Sequence, residues 1–184
     1  MIGKAWLKVR QLITQRLIIR SFLKKDWKEL YEYLSDERVV RYEPYEVFTE
    51  EQCKQEAINR SKNSDFMAVC LKETNKLIGN IYLSEQELHT WELGYVFHHS
   101  YQGFGYATEA AKEVLRDVFD NRGARRVIAM CNPENTASWR LLERIGMRRE
   151  GHLIQNIYFK LDEDRNPVWQ DTYEYALLRD EWRR

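Results

Sequence analysis

The sequence predicts an α/β fold in one domain over residues 1–184, with its core over about 12–180, in which helices flank a central mixed, mostly antiparallel sheet of about seven strands. Three observations carry this prediction. Two β-rich runs, Phe66 to Leu71 and Lys76 to Leu83, are joined across Glu73-Thr74-Asn75, a hairpin by length and residue type. A third run, Trp91 to Phe97, is followed by an amphipathic helix and then by the apolar run Val127 to Cys131; strand, helix, strand requires a parallel crossover. Finally, His152 to Lys160 and Trp169 to Leu178 flank the turn Leu161 to Pro167 as a long closing hairpin.

The remaining elements follow in chain order. Leu17, Ile18 and Ile19 between Arg16 and Arg20 read as a short first strand. Asp26 is placed to cap a helix whose apolar positions Trp27, Leu30, Tyr31 and Leu34 keep helical spacing. Thr49 and Gln52 form a capping-box pair that starts a second helix, and the irregular aromatic segment Val39 to Tyr45 lies between the two. The clearest helix spans 107–122, with Ala111, Val114, Leu115, Val118 and Phe119 on one face and Gly123 as its stop. Asn135 to Arg144 is another helix, ending near Gly146. A ligand site is expected where the sheet connectivity changes.

Composition bounds the function. Lysine plus arginine and aspartate plus glutamate each number 29, so the formal net charge is zero. That balance argues against a nucleic-acid partner held by a broad positive surface. The three cysteines are widely spaced without a Cys-x-x-Cys, which suggests neither a disulfide framework nor a zinc site. Charged residues Lys4, Lys8, Arg10 and Arg16 break every apolar run near the N-terminus, and no stretch reaches membrane-spanning length, so a cytoplasmic protein without membrane attachment is expected. Monomer and homodimer both remain open.

The most informative stretch is Tyr101-Gln102-Gly103-Phe104-Gly105-Tyr106-Ala107-Thr108-Glu109-Ala110, between a strand and the strongest helix. Its glycines allow close backbone approach, and the first-turn N–H groups lie at the positive end of the helix, which suits a diphosphate. No Gly-Lys-Ser/Thr exists for a Walker loop, and Thr108 stands where a dinucleotide fingerprint needs its third glycine.

Gln102-Gly-Phe-Gly105-Tyr-Ala107 is similar to the Gln/Arg-x-x-Gly-x-Gly/Ala pattern of the GNAT superfamily of acetyl-CoA-dependent N-acetyltransferases, and Asn132 to Met147 resembles that family's second cofactor segment. Thr14-x-Arg16-Leu17-x-x-Arg20, Trp169-x-Asp171-Thr172-x-x-Tyr175 and Glu181-Trp182 extend the likeness, and resemble the RimJ/RimL-like ribosomal-protein N-terminal acetyltransferases. The resemblance implies a GNAT-like acyl-CoA N-acyltransferase fold and acetyl-CoA as co-substrate. It assigns coenzyme A binding to Gln102, Gly103, Phe104, Gly105, Tyr106, Ala107 and Thr108, and the pantetheine arm to the backbone of Val96, Phe97 and His98 and to Asn135. Arg140 and Arg144 either meet cofactor phosphate or form a solvated basic face. The acceptor implied is a primary amine, foremost the α-amine of a protein or peptide, ribosomal proteins included. The alternatives are a small amine such as a polyamine, an amino acid or an aminoglycoside, and a noncatalytic acyl-CoA sensor.

Acetyl transfer needs a neutral amine, a polarised carbonyl and a proton for the departing thiolate. At pH 7 an α-amine with pKa near 8 costs about 1.4 kcal/mol to deprotonate and a lysine amine about 4–5 kcal/mol, so an N-terminal acceptor asks little of the base. Glu92 is the candidate carboxylate, because it falls opposite Trp91, Leu93, Tyr95 and Phe97 on a strand where glutamate is otherwise unfavourable. Many family members place a tyrosine where this chain has Leu142; Ser138 is the nearest hydroxyl for the sulfur, either as proton donor or as a simple hydrogen-bonding group on the cofactor. Carbonyl polarisation falls to a backbone N–H within Val96 to His98. Tyr42, Glu43, Tyr45 and Tyr158 are candidates to line the acceptor mouth. His98-His99 invites a metal reading, but no His-Glu-x-x-His or cysteine cluster accompanies it, and none is expected.

Overall fold

The computed structural model describes residues 11–182. Among the described residues eight strands form one sheet: β1 (Leu12–Ile13), β2 (Leu17–Ser21), β3 (Phe66–Leu71), β4 (Leu77–Glu85), β5 (Thr90–Phe97), β6 (Arg126–Cys131), β7 (Arg148–Leu161) and β8 (Pro167–Leu178), in the order β1-β2-β3-β4-β5-β6-β8-β7. Every pairing is antiparallel except β5 with β6, where the crossover helix α4 (Tyr106–Asp120) returns the chain. The strand beyond the expected set is β1, too short at two residues to leave a periodic signal. Of the N-terminal charges, Lys4, Lys8 and Arg10 lie outside the described residues.

The sheet separates two apolar layers. On one face Leu17, Ile19, Val69, Ile81, Leu93 and Phe97 pack with Val114, Leu115, Val118 and Phe119 of α4 and with Leu141 and Leu142 of α5 (Thr136–Arg144). On the other, Ala68, Cys70, Leu77 and Val96 meet α1 (Trp27–Leu34) and α3 (Glu50–Arg60). A single turn, α2 (Glu37–Val40), interrupts the connection between those helices, its N-terminus capped by the Asp36 carboxylate, which accepts from the Arg38 N–H.

The Thr49–Gln52 capping box forms as expected. Asp26, by contrast, does not cap α1. Its carboxylate accepts from Arg20 at 2.7 and 3.0 Å and from the Leu23 N–H at 2.7 Å, and this ion pair takes its side chain into the interior. Tyr31 stands exposed on α1 while Tyr33 is buried, because the Tyr33 hydroxyl finds an acceptor, Asn80 Oδ1, at 2.8 Å. The three cysteines are buried and free, and burial pushes each thiol up to about 11. No helix among the described residues is long and apolar enough to cross a membrane.

Candidate active site

The loop before α4 is held open by two left-handed glycines, Gly103 at φ +82° and Gly105 at φ +80°, and Gly105 is the N-cap of the helix. No heavy atom lies within 4 Å of where a Cβ on Gly103 would sit. Its flanks are braced. Gln102 Nε2 donates to the Phe97 carbonyl at 3.2 Å, and Arg16 Nη1 donates to the Phe104 carbonyl at 3.0 Å. With that carbonyl turned to Arg16, the loop amides remain available to an anion. Arg16 is itself fixed by Glu109, whose carboxylate takes the Arg16 Nε at 2.7 Å, the Arg16 N–H at 2.9 Å and the Thr14 hydroxyl at 2.6 Å. Burial would raise the Glu109 carboxyl, but these donors prevail and hold it low.

Strands β5 and β6 pair only over Thr90–Arg126, Trp91–Val127 and Glu92–Ile128, and then part. β5 continues against β4 as far as Phe97, and β6 continues against β8 as far as Cys131. The wedge between them belongs to a cleft of about 1360 Å³ that also takes in Gly103, Gly105 and Thr108. Single ligand sites run to roughly 1,000 Å³, so this one has room for two substrates. Glu92 sits at the last paired position before the split, half-buried, with Gln86 Nε2 at 3.5 Å from its carboxylate.

The far wall of the wedge is the first turn of α5. Asn135 caps it, its Oδ1 accepting from the Ser138 N–H at 3.2 Å. The Tyr95 hydroxyl lies 3.0 Å from the Ser138 carbonyl oxygen and 2.9 Å from its Oγ. Burial raises the Tyr95 phenol, so it stays protonated.

The segment between α2 and α3 also borders the cleft, and the Tyr42 hydroxyl reaches the Glu134 carbonyl at 3.5 Å. Glu43 and Tyr45 line the cleft beneath it. Burial pushes the Glu43 carboxyl up to about 7, against the opposing influence of the Tyr45 hydroxyl and the Arg60 guanidinium. Arg60 is buried on α3, donating to Glu56 at 2.7 Å and to Asn80 Oδ1 at 3.0 Å, with its guanidinium 4.6 Å from the Phe66 ring centroid.

This arrangement brings together a braced glycine loop, a split sheet and one cleft lined by Glu43 and Glu92. The sequence profile of the acetyltransferase (GNAT) domain matches residues 16–148. The chain belongs to the GNAT acetyltransferase family. It is therefore an acyltransferase, and GNAT enzymes take their acetyl group from acetyl-CoA. The N-acetyltransferase YnaD of Bacillus subtilis (strain 168), described as uncharacterized, is 43% identical over 177 residues, covering 93% of this chain and 98% of its own. The crystal structure of a GNAT-family acetyltransferase from Bacillus anthracis superposes with a TM-score of 0.86 at 38% identity, over 93% of this chain and 99% of that one. The [ribosomal protein uS5]-alanine N-acetyltransferase of Escherichia coli (strain K12) is 26% identical, over 95% of this chain and 93% of its own.

Within this GNAT cleft the structure gathers Glu92, Val96, Phe97, Gln102, Gly103, Gly105, Tyr106, Ala107, Thr108, Asn135 and Ser138, together with Tyr42, Glu43 and Tyr45. Three expected residues stand outside its lining. The His98 N–H is already donated to the Ile78 carbonyl at 2.9 Å, and the ring turns toward Glu32 of α1, 3.8 Å away. Phe104 is 63% exposed and offers only its backbone to the loop. Tyr158 packs edge-on against Trp169 at 5.3 Å on the outer face of the hairpin; alternation along the strand gives the cleft Ile157 and Phe159 instead. Of the two helix arginines, Arg144 lines the cleft, and Arg140 lies over the Trp139 ring.

Leu142 fills the place of the family tyrosine as a buried core residue. Tyr95 and Arg60 were not foreseen as site residues. For Arg60 the signal was present: Cys53, Ala57 and Arg60 form one helical stripe, and all three are buried. Among the described residues, no group of three or more His, Cys, Asp and Glu side chains is assembled for a metal ion.

Proposed function

We propose that this GNAT enzyme transfers acetyl from acetyl-CoA to a primary amine, foremost the α-amine at the N-terminus of a protein or peptide. The observation that carries the reading is the split between β5 and β6, which opens from the braced Gly103–Thr108 loop into the cleft lined by Glu43 and Glu92. The loop amides and Asn135 suit the diphosphate and pantetheine of the co-substrate. The free β5 backbone beside Val96 and Phe97 supplies the N–H that polarises the thioester carbonyl. Glu92 aligns the amine, directly or through water, and Ser138 faces the sulfur.

The α-amine is favoured over a lysine side chain because its deprotonation at pH 7 costs less. The distant likeness to the uS5-alanine acetyltransferase supports the same class, including a ribosomal-protein acceptor. Incubating the purified chain with acetyl-CoA and a panel of N-terminal peptides, polyamines, amino acids and aminoglycosides tests the proposal by thiol release. Release above the blank with peptides is the expected result. Turnover confined to small amines overturns the acceptor class, and coenzyme A binding without turnover on any amine identifies a sensor.

A further inference from the structure

Among the described residues β7 is an edge of the sheet, and β8 alone pairs with it. Its path is irregular. Leu153 lies opposite Thr172 and Ile157 opposite Gln170, so Ile154, Gln155 and Asn156 stand against the single residue Asp171. Two extra residues in one strand bend it while leaving its alternation intact, and bulges beside active sites re-aim side chains. Beyond this bulge Ile157 and Phe159, two apart on one face, border the cleft, and Asn156 joins them from the bulge itself.

A bulge gives up ladder hydrogen bonds, and Gln155 at its centre adopts φ +46°, a left-handed conformation unusual for a residue with a side chain. Asp171 holds it there from inside. Its Oδ1 accepts from the Gln155 N–H at 2.9 Å, and its Oδ2 lies 2.8 Å from His152 Nε2, so one carboxylate grips the strand before the bulge and within it. The His152 ring is in turn backed edge-on by Tyr173, with 4.8 Å between centroids. One residue before Asp171, Gln170 Oε1 accepts from Asn132 Nδ2 at 3.1 Å, which ties β8 to the turn leading to Asn135. The wall formed by Ile157 and Phe159 is thereby registered against the first turn of α5.

The residues that acetyl-CoA is expected to engage lie on β5, in the loop before α4 and in the first turn of α5, and none of them lies on this hairpin. Resting on the acetyltransferase reading above, we propose that Asp171 is a positioning residue for the acceptor: its carboxylate holds the β7 bulge in the shape that sets Ile157 and Phe159 as a wall against the body of the amine substrate. The side chains of Ile157 and Phe159 offer neither charge nor hydrogen bond, so the part of the acceptor they meet is apolar. Asp171 acts through the backbone of Gln155 and not on the reacting atoms.

The test is steady-state kinetics on the best amine found in the panel, for the wild type, Asp171→Ala, Asp171→Asn and Asp171→Ala combined with Gln155→Gly. Amide hydrogen exchange at Gln155 reports on the bulge independently of turnover, and coenzyme A binding checks that each variant is folded. In Asp171→Ala the KM for the amine should rise roughly 10-fold, the loss of one charge-assisted hydrogen bond, while coenzyme A affinity and the KM for acetyl-CoA hold and exchange at Gln155 quickens. Asp171→Asn keeps an oxygen for the Gln155 N–H and should recover most of the loss. Glycine takes a positive φ without strain, so Gln155→Gly should restore part of the amine KM in the Asp171→Ala background. An unchanged amine KM in Asp171→Ala, or a rise in the KM for acetyl-CoA instead, overturns the assignment and leaves the acetyltransferase reading standing. Equal losses in Asp171→Ala and Asp171→Asn, with exchange at Gln155 unchanged in both, would mean that the carboxylate meets the ammonium group directly, which overturns it as well. A wild type inactive on every amine defeats both.

Discussion

The Tyr95 hydroxyl stands 2.9 Å from Ser138 Oγ, so a side chain on β5 fixes the orientation of a hydroxyl on α5 across the split in the sheet. The two act as a unit. Tyr95→Phe is expected to lower kcat about 10-fold with little change in KM for acetyl-CoA, and Ser138→Ala to do the same. The double variant should be no slower than the slower single one, because coupled groups are not additive. Steady-state kinetics on the four proteins checks this.

Gly105 adopts φ +80° at the point where the loop becomes helix, so any side chain there is strained. Gly105→Asp adds a carboxylate against the expected diphosphate. Coenzyme A binding measured by titration calorimetry should fall below detection while the far-ultraviolet circular dichroism is unchanged.

Arg16 holds the Phe104 carbonyl away from the loop's interior, and Glu109 holds Arg16. Arg16→Met frees that carbonyl to compete with the ligand for the same space. KM for acetyl-CoA should rise about 5- to 20-fold, the loss of a charge-assisted hydrogen bond of about 1–2 kcal/mol, with kcat nearly unchanged. Arg16→Lys should recover part of the loss. A fall in kcat with KM unchanged would assign Arg16 another role.

Asn80 Oδ1 accepts from both the Tyr33 hydroxyl and Arg60 Nη1 in the layer beneath the cleft. Asn80→Leu leaves a buried phenol and a buried guanidinium short of an acceptor at once. The expected cost is about 2–5 kcal/mol, read as a lower urea midpoint. Tyr33→Phe removes one donor and should cost about 1 kcal/mol.

Stability should also depend on pH through Glu43. Its carboxyl is raised from 4.5 to about 7 by burial, so its contribution favours the fold at low pH and is lost as pH climbs through about 7. Glu43→Gln, which cannot ionise, should raise Tm at pH 8.5 and change it little at pH 5. Thermal melts of both proteins at the two pH values check the sign.

The sheet, the crossover helix and the glycine turn before it were legible because each has a local cause. The Ala111–Phe119 stripe, the Thr49–Gln52 box and the two loop glycines act over a few residues. What escaped depends on residues distant in sequence. Asp26 looks like a cap until Arg20 claims it. Tyr31 and Tyr33 both lie on α1, and only Tyr33 meets an acceptor, Asn80 on β4, far along the chain. Tyr95 joins the site through a helix far along the chain. Tyr158 fell to the other face because β7 carries a one-residue irregularity between Arg149 and Gly151, which shifts the alternation downstream.

The parting of β5 from β6 has a kinetic consequence. A strand edge in the middle of a sheet carries backbone groups that a neighbouring strand would normally engage, and here a slender amide-bearing arm can take that strand's part. The amine is expected to approach through the same cleft, against an edge that the arm would complete. Donor should therefore enter before acceptor and leave after the acetylated product, and amide hydrogen exchange along Gly94 to Phe97 should slow on adding coenzyme A alone.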